Sequence, residues 1–205
     1  MSDIEGFILA GGASSRMGVD KSRLTFGGLT FVERVAAALR PLCERVSVVS
    51  SKHDVKTFGL PVVKDIHEGR GALGGLHAAL KSCRASWAAV VSCDLPFVTA
   101  ELLLRLASLR VDEAEAVAPH QDDGRPQPLC ALYAASACLP VAEELIRSGE
   151  LRPRVLLQRV RTRRVVFEEL SDLTDAQLFF TNVNTPEDYG RVMMKDEEGH
   201  LKSQI

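Results

Sequence analysis

The chain has 205 residues, enough for one large domain or two small ones around a buried core. Its 25 Lys and Arg against 27 Asp and Glu leave a net charge of −2, so the molecule as a whole carries no field that would draw in a nucleic-acid backbone. Asp3 and Glu5 stand where a signal peptide needs basic residues, and no apolar run reaches the length of a membrane span. These features predict a cytoplasmic protein with neither nucleic acid nor membrane as partner, holding a small charged ligand through local residues.

Short apolar runs alternate with longer stretches of helical period, the pattern of a parallel α/β sheet with crossover helices. The first strand is predicted at Gly6 to Leu9, followed by a glycine-rich loop to Lys21 and a helix over Phe31 to Leu42. Strands at Val46 to Val49 and Val62 to Val63 precede a helix over Leu76 to Ser82, then a strand at Ala88 to Val91 and a helix over Ala100 to Leu109. Strands at Ala116 to Ala118 and Leu129 to Tyr133 lead to helices over Ala137 to Ile146 and Arg154 to Arg159, and a last strand falls at Val165 to Phe167. The final helix, Pro186 to Met193, has its own start signal: Thr185 as N-cap, Pro186 in the first helical position, Glu187 and Asp188 in the first turn. Residues 1–194 read as one domain and 195–205, which lack periodicity, as a frayed tail. No internal repeat or low-complexity segment argues for a solenoid or a linker.

In sheets of this kind ligands bind beyond the carboxyl ends of the strands. That rule gathers the Gly11 to Lys21 loop, Ser50 and Ser51, Asp65 and Asp94 along one edge. The loop, in FILAGGASSRMGVDK, fails both common phosphate-binding spacings: a Walker A count from Gly11 or Gly12 lands on Arg16 or Met17, and a dinucleotide fingerprint does not tolerate adjacent glycines. Gly11 and Gly12 nevertheless permit close backbone approach, and Arg16 and Lys21 follow within ten residues, a combination suited to a triphosphate. In VVSCDLP a strand ends in Asp94, placed to hold Mg²⁺, which favours one or two carboxylates plus substrate phosphate oxygens. Asp65 repeats the arrangement after a shorter strand, where a plain turn aspartate is the competing reading. GRGALGG, residues 69–75, allows close packing against a base or ribose, with flexible helix entry as the alternative. Asn182 and Asn184 offer amides that read ring edges or satisfy turn backbone.

Other residue groups carry less. Six arginines between Arg152 and Arg164 read as a solvated face rather than an anion site. Cys43, Cys83, Cys93, Cys130 and Cys138, odd in number and without a C-x-x-C pair, read as reduced core residues. The five histidines show no metal-ligand spacing and receive no catalytic role.

LAGGASSRMGVDK, GALGG, SCDLP, GRPQPLCALY and NVNTPED, in this order and at these intervals, closely resemble the molybdenum cofactor guanylyltransferases, from roughly Gly6 to Tyr189. The resemblance implies a single Rossmann-like nucleotidyltransferase domain with a mostly parallel sheet flanked by helices. It implies transfer of GMP from GTP to molybdopterin with release of pyrophosphate, using Mg²⁺ or, as an alternative, Mn²⁺, with proteins that deliver or receive the cofactor as further partners. By position, Leu9, Ala10, Gly11 and Gly12 resemble the nucleotide loop, Lys21 the phosphate lysine, Arg16 an active-site cation, Asp65 a guanine or ribose contact, and Asp94 the metal ligand. Asn182 and Asn184 resemble part of the pterin side. The chain departs from the family pattern in having Gly71-Ala72-Leu73 for Gly-Pro-Leu and Ser50 for a common Asn. Single motifs are shared with molybdopterin cytidylyltransferases and sugar-phosphate nucleotidyltransferases, and a nucleotide-binding regulatory module without turnover is the rival of another class.

Overall fold

The computed structural model describes residues 3–10, 24–51, 57–67, 69–183, 185 and 187–191. Seven strands form one sheet, β1 (Ile4–Leu9), β4 (Val46–Ser50), β5 (Val62–Lys64), β6 (Trp87–Ser92), β7 (Ala116–Pro119), β8 (Cys130–Ala134) and β9 (Thr162–Val165), in the order β5-β4-β1-β6-β8-β7-β9. The pairs β5/β4, β4/β1, β1/β6 and β7/β9 are parallel, and β8 runs antiparallel to both β6 and β7. A mostly parallel sheet was expected, and the reversal at β8 has a local cause. The connection from β7 to β8 contains no helix and is too short for a crossover, so the two can only meet antiparallel.

Strand side chains alternate between two cores. Ile8, Val48, Ala89 and Val91 pack with α1 (Phe31–Leu39) and α3 (Ala100–Ser108) on one face. Phe7, Leu9, Val49 and Val90 pack with α2 (Gly71–Ser82), α4 (Ala135–Arg147) and α5 (Pro153–Arg159) on the other. The central strands are buried on both faces, which is why they read as continuous apolar runs.

Helix ends follow local chemistry. Thr30 caps α1: its hydroxyl accepts from the Glu33 N–H (3.3 Å), while Glu33 accepts from the Thr30 N–H (2.9 Å). The helix stops at Leu39 rather than Leu42 because Pro41 has no N–H with which to continue the ladder. Residues 187–191 are helical, and Thr185 and Asp188 exchange backbone-to-side-chain hydrogen bonds of 3.0 and 3.1 Å, as its start signal predicts. Pro186 lies outside the described residues.

Two further expectations are corrected. Helix α2 begins at Gly71, five residues before Leu76, so the glycines of GALGG are helical. Glycine costs about 1 kcal/mol in a helix interior, but at Gly74 a Cβ would crowd His67 O and Asp65 Oδ1, and packing decides there. Strand β9 is Thr162–Val165 because its parallel ladder with β7 starts at Ala116 opposite Thr162, and Phe167–Glu169 turns into a 3-10 helix. A two-stranded hairpin, β2 (Thr25–Phe26) and β3 (Leu29–Thr30), was not foreseen. Phe26 joins Phe31, Phe97 and Val183 in a third small cluster that fastens the chain's last described turn to the sheet edge.

Candidate active site

Strands β1, β4, β5 and β6 point their carboxyl ends at a cleft of about 140 Å³ lined, among the described residues, by Leu9, Ser50, Asp65, Gly75, Ser92 and Asp94, with Val49, Ala72 and Leu129. Two predicted carboxylates and Leu9 are therefore brought together by the sheet. Ala10 is buried beside them, its N–H donating to the Val49 carbonyl at 3.0 Å. The cleft is below the several hundred Å³ typical of a pocket for a whole ligand, and its volume suits one ring system.

Asp94 is held by its loop. The Cys93 N–H donates to Leu9 O (3.0 Å), Leu95 N–H to Ser92 O (3.2 Å), and Val183 N–H to the Asp94 carbonyl itself (3.0 Å). Arg34 of α1 donates from Nε to Pro96 O at 3.0 Å while its guanidinium lies 4.8 Å from the centroid of the Phe26 ring. Nothing in the local sequence near Asp94 announces Arg34, 62 positions away from Pro96. The same Val183 contact brings Asn182 close to the Asp94 loop; Asn182 is exposed and does not line the cleft.

Asp65 is fixed from both sides. Its N–H donates to Ser50 O at 3.1 Å, and its Oδ1 accepts the His67 N–H at 2.9 Å. A Cβ added at Gly74 would lie 3.2 Å from that Oδ1, whereas one at Gly75 would meet Leu9 at 3.6 Å and Asp65 Oδ2 at 4.0 Å. The glycine pair thus lets α2 close against the Asp65 turn and the end of β1. On the far side, the fully buried Tyr133 donates to Pro128 O at 2.6 Å and pins the turn that carries Leu129.

A family model for the MobA-like NTP transferase domain matches residues 6–165. The chain belongs to the MobA-like NTP transferase family. The transferase is 35% identical, over 96% of both chains, to a probable molybdenum cofactor guanylyltransferase of Pelotomaculum thermopropionicum. It is 31% identical to one of Carboxydothermus hydrogenoformans over 94% of its own length and 96% of the relative's. Among solved structures it superposes on molybdopterin-guanine dinucleotide biosynthesis protein A from Archaeoglobus fulgidus with a TM-score of 0.80 and 27% identity, covering 95% of this chain and 99% of that one. The protein is a nucleotidyltransferase enzyme with a single α/β sheet of the family's kind.

Of the transferase's predicted site residues, Gly11, Gly12, Arg16, Lys21 and Asn184 lie outside the described residues. Among the described residues no cluster of three or more His, Cys, Asp or Glu forms a metal cage. Asp94, at the cleft, is a carboxylate of the kind that Mg²⁺ takes together with substrate phosphate oxygens. The arginine cluster is largely solvated, as expected, and four of its six members are ion-paired: Arg152 with Glu150 (2.6 Å), Arg159 with Glu144 (3.1 Å), Arg161 with Glu115 (2.9 Å) and Arg163 with Glu169. All five thiols are free, and burial pushes those of Cys43, Cys130 and Cys138 up to about 12 and Cys83 to about 11. No helix among the described residues is long and apolar enough to cross a membrane.

Proposed function

We propose that the protein transfers GMP from GTP to molybdopterin, forming the guanine dinucleotide form of the cofactor and releasing pyrophosphate, with Mg²⁺ in the site. The observation that carries this reading is the convergence of Asp65, Asp94 and the Gly75 backbone on one cleft at the end of β1, where the chain enters the Gly11 to Lys21 segment.

In the reaction, a phosphate oxygen of molybdopterin attacks the α-phosphorus of GTP, the bond to the bridging oxygen of the β-phosphate breaks, and pyrophosphate leaves with that electron pair. A phosphate monoester has a second pKa near about 6 and is mostly dianionic at neutral pH, so the nucleophile needs no general base. Catalysis reduces to aligning two anions and neutralising their repulsion. Lys21 and Arg16 supply that charge from the protein. Asp94 would hold Mg²⁺, which when bound stabilises charge on the transferring and leaving phosphate oxygens. Leu9, Ala10, Gly11 and Gly12 receive the nucleotide, Asp65 accepts from guanine or ribose, and Asn182 and Asn184 face the pterin.

Thermal unfolding with Mg²⁺ and GTP, CTP or ATP tests the reading. A nucleotide at about 100 times its dissociation constant adds roughly 2.7 kcal/mol of stability. GTP is expected to stabilise most; stabilisation by CTP without GTP would overturn the assignment of the base.

A further inference from the structure

His77 is a buried side chain that the reaction does not use. It lies on α2, 1% exposed, facing Glu143 of α4, and its Nδ1 has no hydrogen-bond partner. Its Nε2 is 3.6 Å from Glu143 Oε1, longer than a good hydrogen bond. A buried imidazole so weakly satisfied is costly, and an apolar residue would fill the place more cheaply. Its remaining neighbour accounts for it. The His67 ring stands edge-on to His77, centroids 4.6 Å apart at 70°. His67 belongs to the turn that holds Asp65: its N–H donates to Asp65 Oδ1 at 2.9 Å, and its carbonyl accepts the Arg70 N–H at 3.0 Å at the start of α2. The same carbonyl is the atom nearest to a Cβ added at Gly74.

We propose that His77 is a positioning residue for nucleotide binding: through His67 it sets the 65–70 turn, and with it the Asp65 carboxylate at the cleft. This rests on the reading of Asp65 as a nucleotide contact. The charged or titratable groups facing His77 are His67 from the turn, Glu143 from α4 and Lys81 from its own helix. Burial first, then His67, lower its pKa from the usual histidine value; Glu143 opposes this and Lys81 adds to it. Because the folded pKa lies below the unfolded one, the contribution is full above about pH 6.5 and is lost as pH falls from there through the lower folded value. A proton on His77 places a cation against the His67 ring and near Lys81, and so favours displacement of the turn.

The test compares the full chain with His77→Phe, which keeps the ring edge but not the proton, and His77→Ala, which removes the contact. GTP affinity is measured by calorimetry from about pH 7.5 to about pH 5.5, with amide hydrogen exchange in 64–70. In His77→Ala, exchange in 64–70 is expected to rise about tenfold while β1 and β6 are unchanged. GTP should bind that variant about fivefold more weakly near neutral pH, as the competent turn becomes less populated. His77→Phe should bind like the parent near neutral pH and lose the parent's weakening in acid. The proposal is overturned if His77→Phe weakens in acid as the parent does, or if His77→Ala leaves exchange in 64–70 unchanged. A parent that bound no GTP, with exchange still raised in His77→Ala, would remove the nucleotide reading and leave the positioning of the turn standing.

Discussion

Gly74 and Gly75 are adjacent on α2, yet a methyl group at each should do opposite things. Exchanging glycine for alanine inside a helix gains about 1 kcal/mol at either position. At Gly75 the new Cβ makes only ordinary contacts, 3.6 Å to Leu9 and 4.0 Å to Asp65, so that gain should survive. For a chain of this size it raises the melting temperature by about 2–4 °C. The methyl enters the cleft, however, and a group of that size costs a bound ring about 1–3 kcal/mol, or 10–200-fold in affinity. At Gly74 the Cβ would come within 3.1 Å of His67 O and 3.2 Å of Asp65 Oδ1, and moving the turn away costs about 1–3 kcal/mol as overpacking. Gly74→Ala should therefore be neutral to less stable than the parent. Calorimetric unfolding and GTP titration of both variants measure the two effects separately. A stabilised Gly75→Ala with undiminished GTP affinity would move the base out of this cleft, and a Gly74→Ala as stabilised as Gly75→Ala would refute the packing argument.

Asp94→Asn keeps the side-chain size and removes the anion, so turnover should fall roughly 100-fold or more with little change in melting temperature; full activity at limiting magnesium would take Asp94 out of the metal site. Lys21→Ala should lower turnover by roughly 10² while folding is retained, measured as the initial rate of pyrophosphate release. Tyr133→Phe leaves the Pro128 carbonyl without its 2.6 Å donor, and urea unfolding should show a loss of about 1–3 kcal/mol. An unchanged midpoint would mean that this carbonyl finds another partner.

The sheet was legible because its strands obey simple rules. β1, β4 and β6 are apolar runs buried on both faces, and the observed ends differ from the expected ones by one or two residues. The carboxyl ends of β5 and β6 then place Asp65 and Asp94 at one cleft without any knowledge of side-chain contacts. What the sequence hid depends on partners distant along the chain. The four glycines of 69–75 argue locally against a helix, and the closeness of α2 to the Asp65 turn explains why Gly74 lies inside one. Arg34 is an unremarked helix residue until Pro96 is folded against it, and His77 is a lone histidine in a helical run until His67 meets its ring. The direction of β8 was readable in principle, since a ten-residue connection without helical period cannot cross the sheet.

The central claim is transfer of a guanylyl group to a pterin phosphate, and the direct measurement is product stoichiometry. Purified protein incubated with Mg²⁺, molybdopterin and either GTP or CTP is followed for pyrophosphate and for the nucleotide-bearing pterin. The account predicts one pyrophosphate and one guanylated pterin for each GTP consumed, no turnover of GTP without the pterin, and slower reaction with CTP. Preferential consumption of CTP, or GTP breakdown without guanylated pterin, would contradict it.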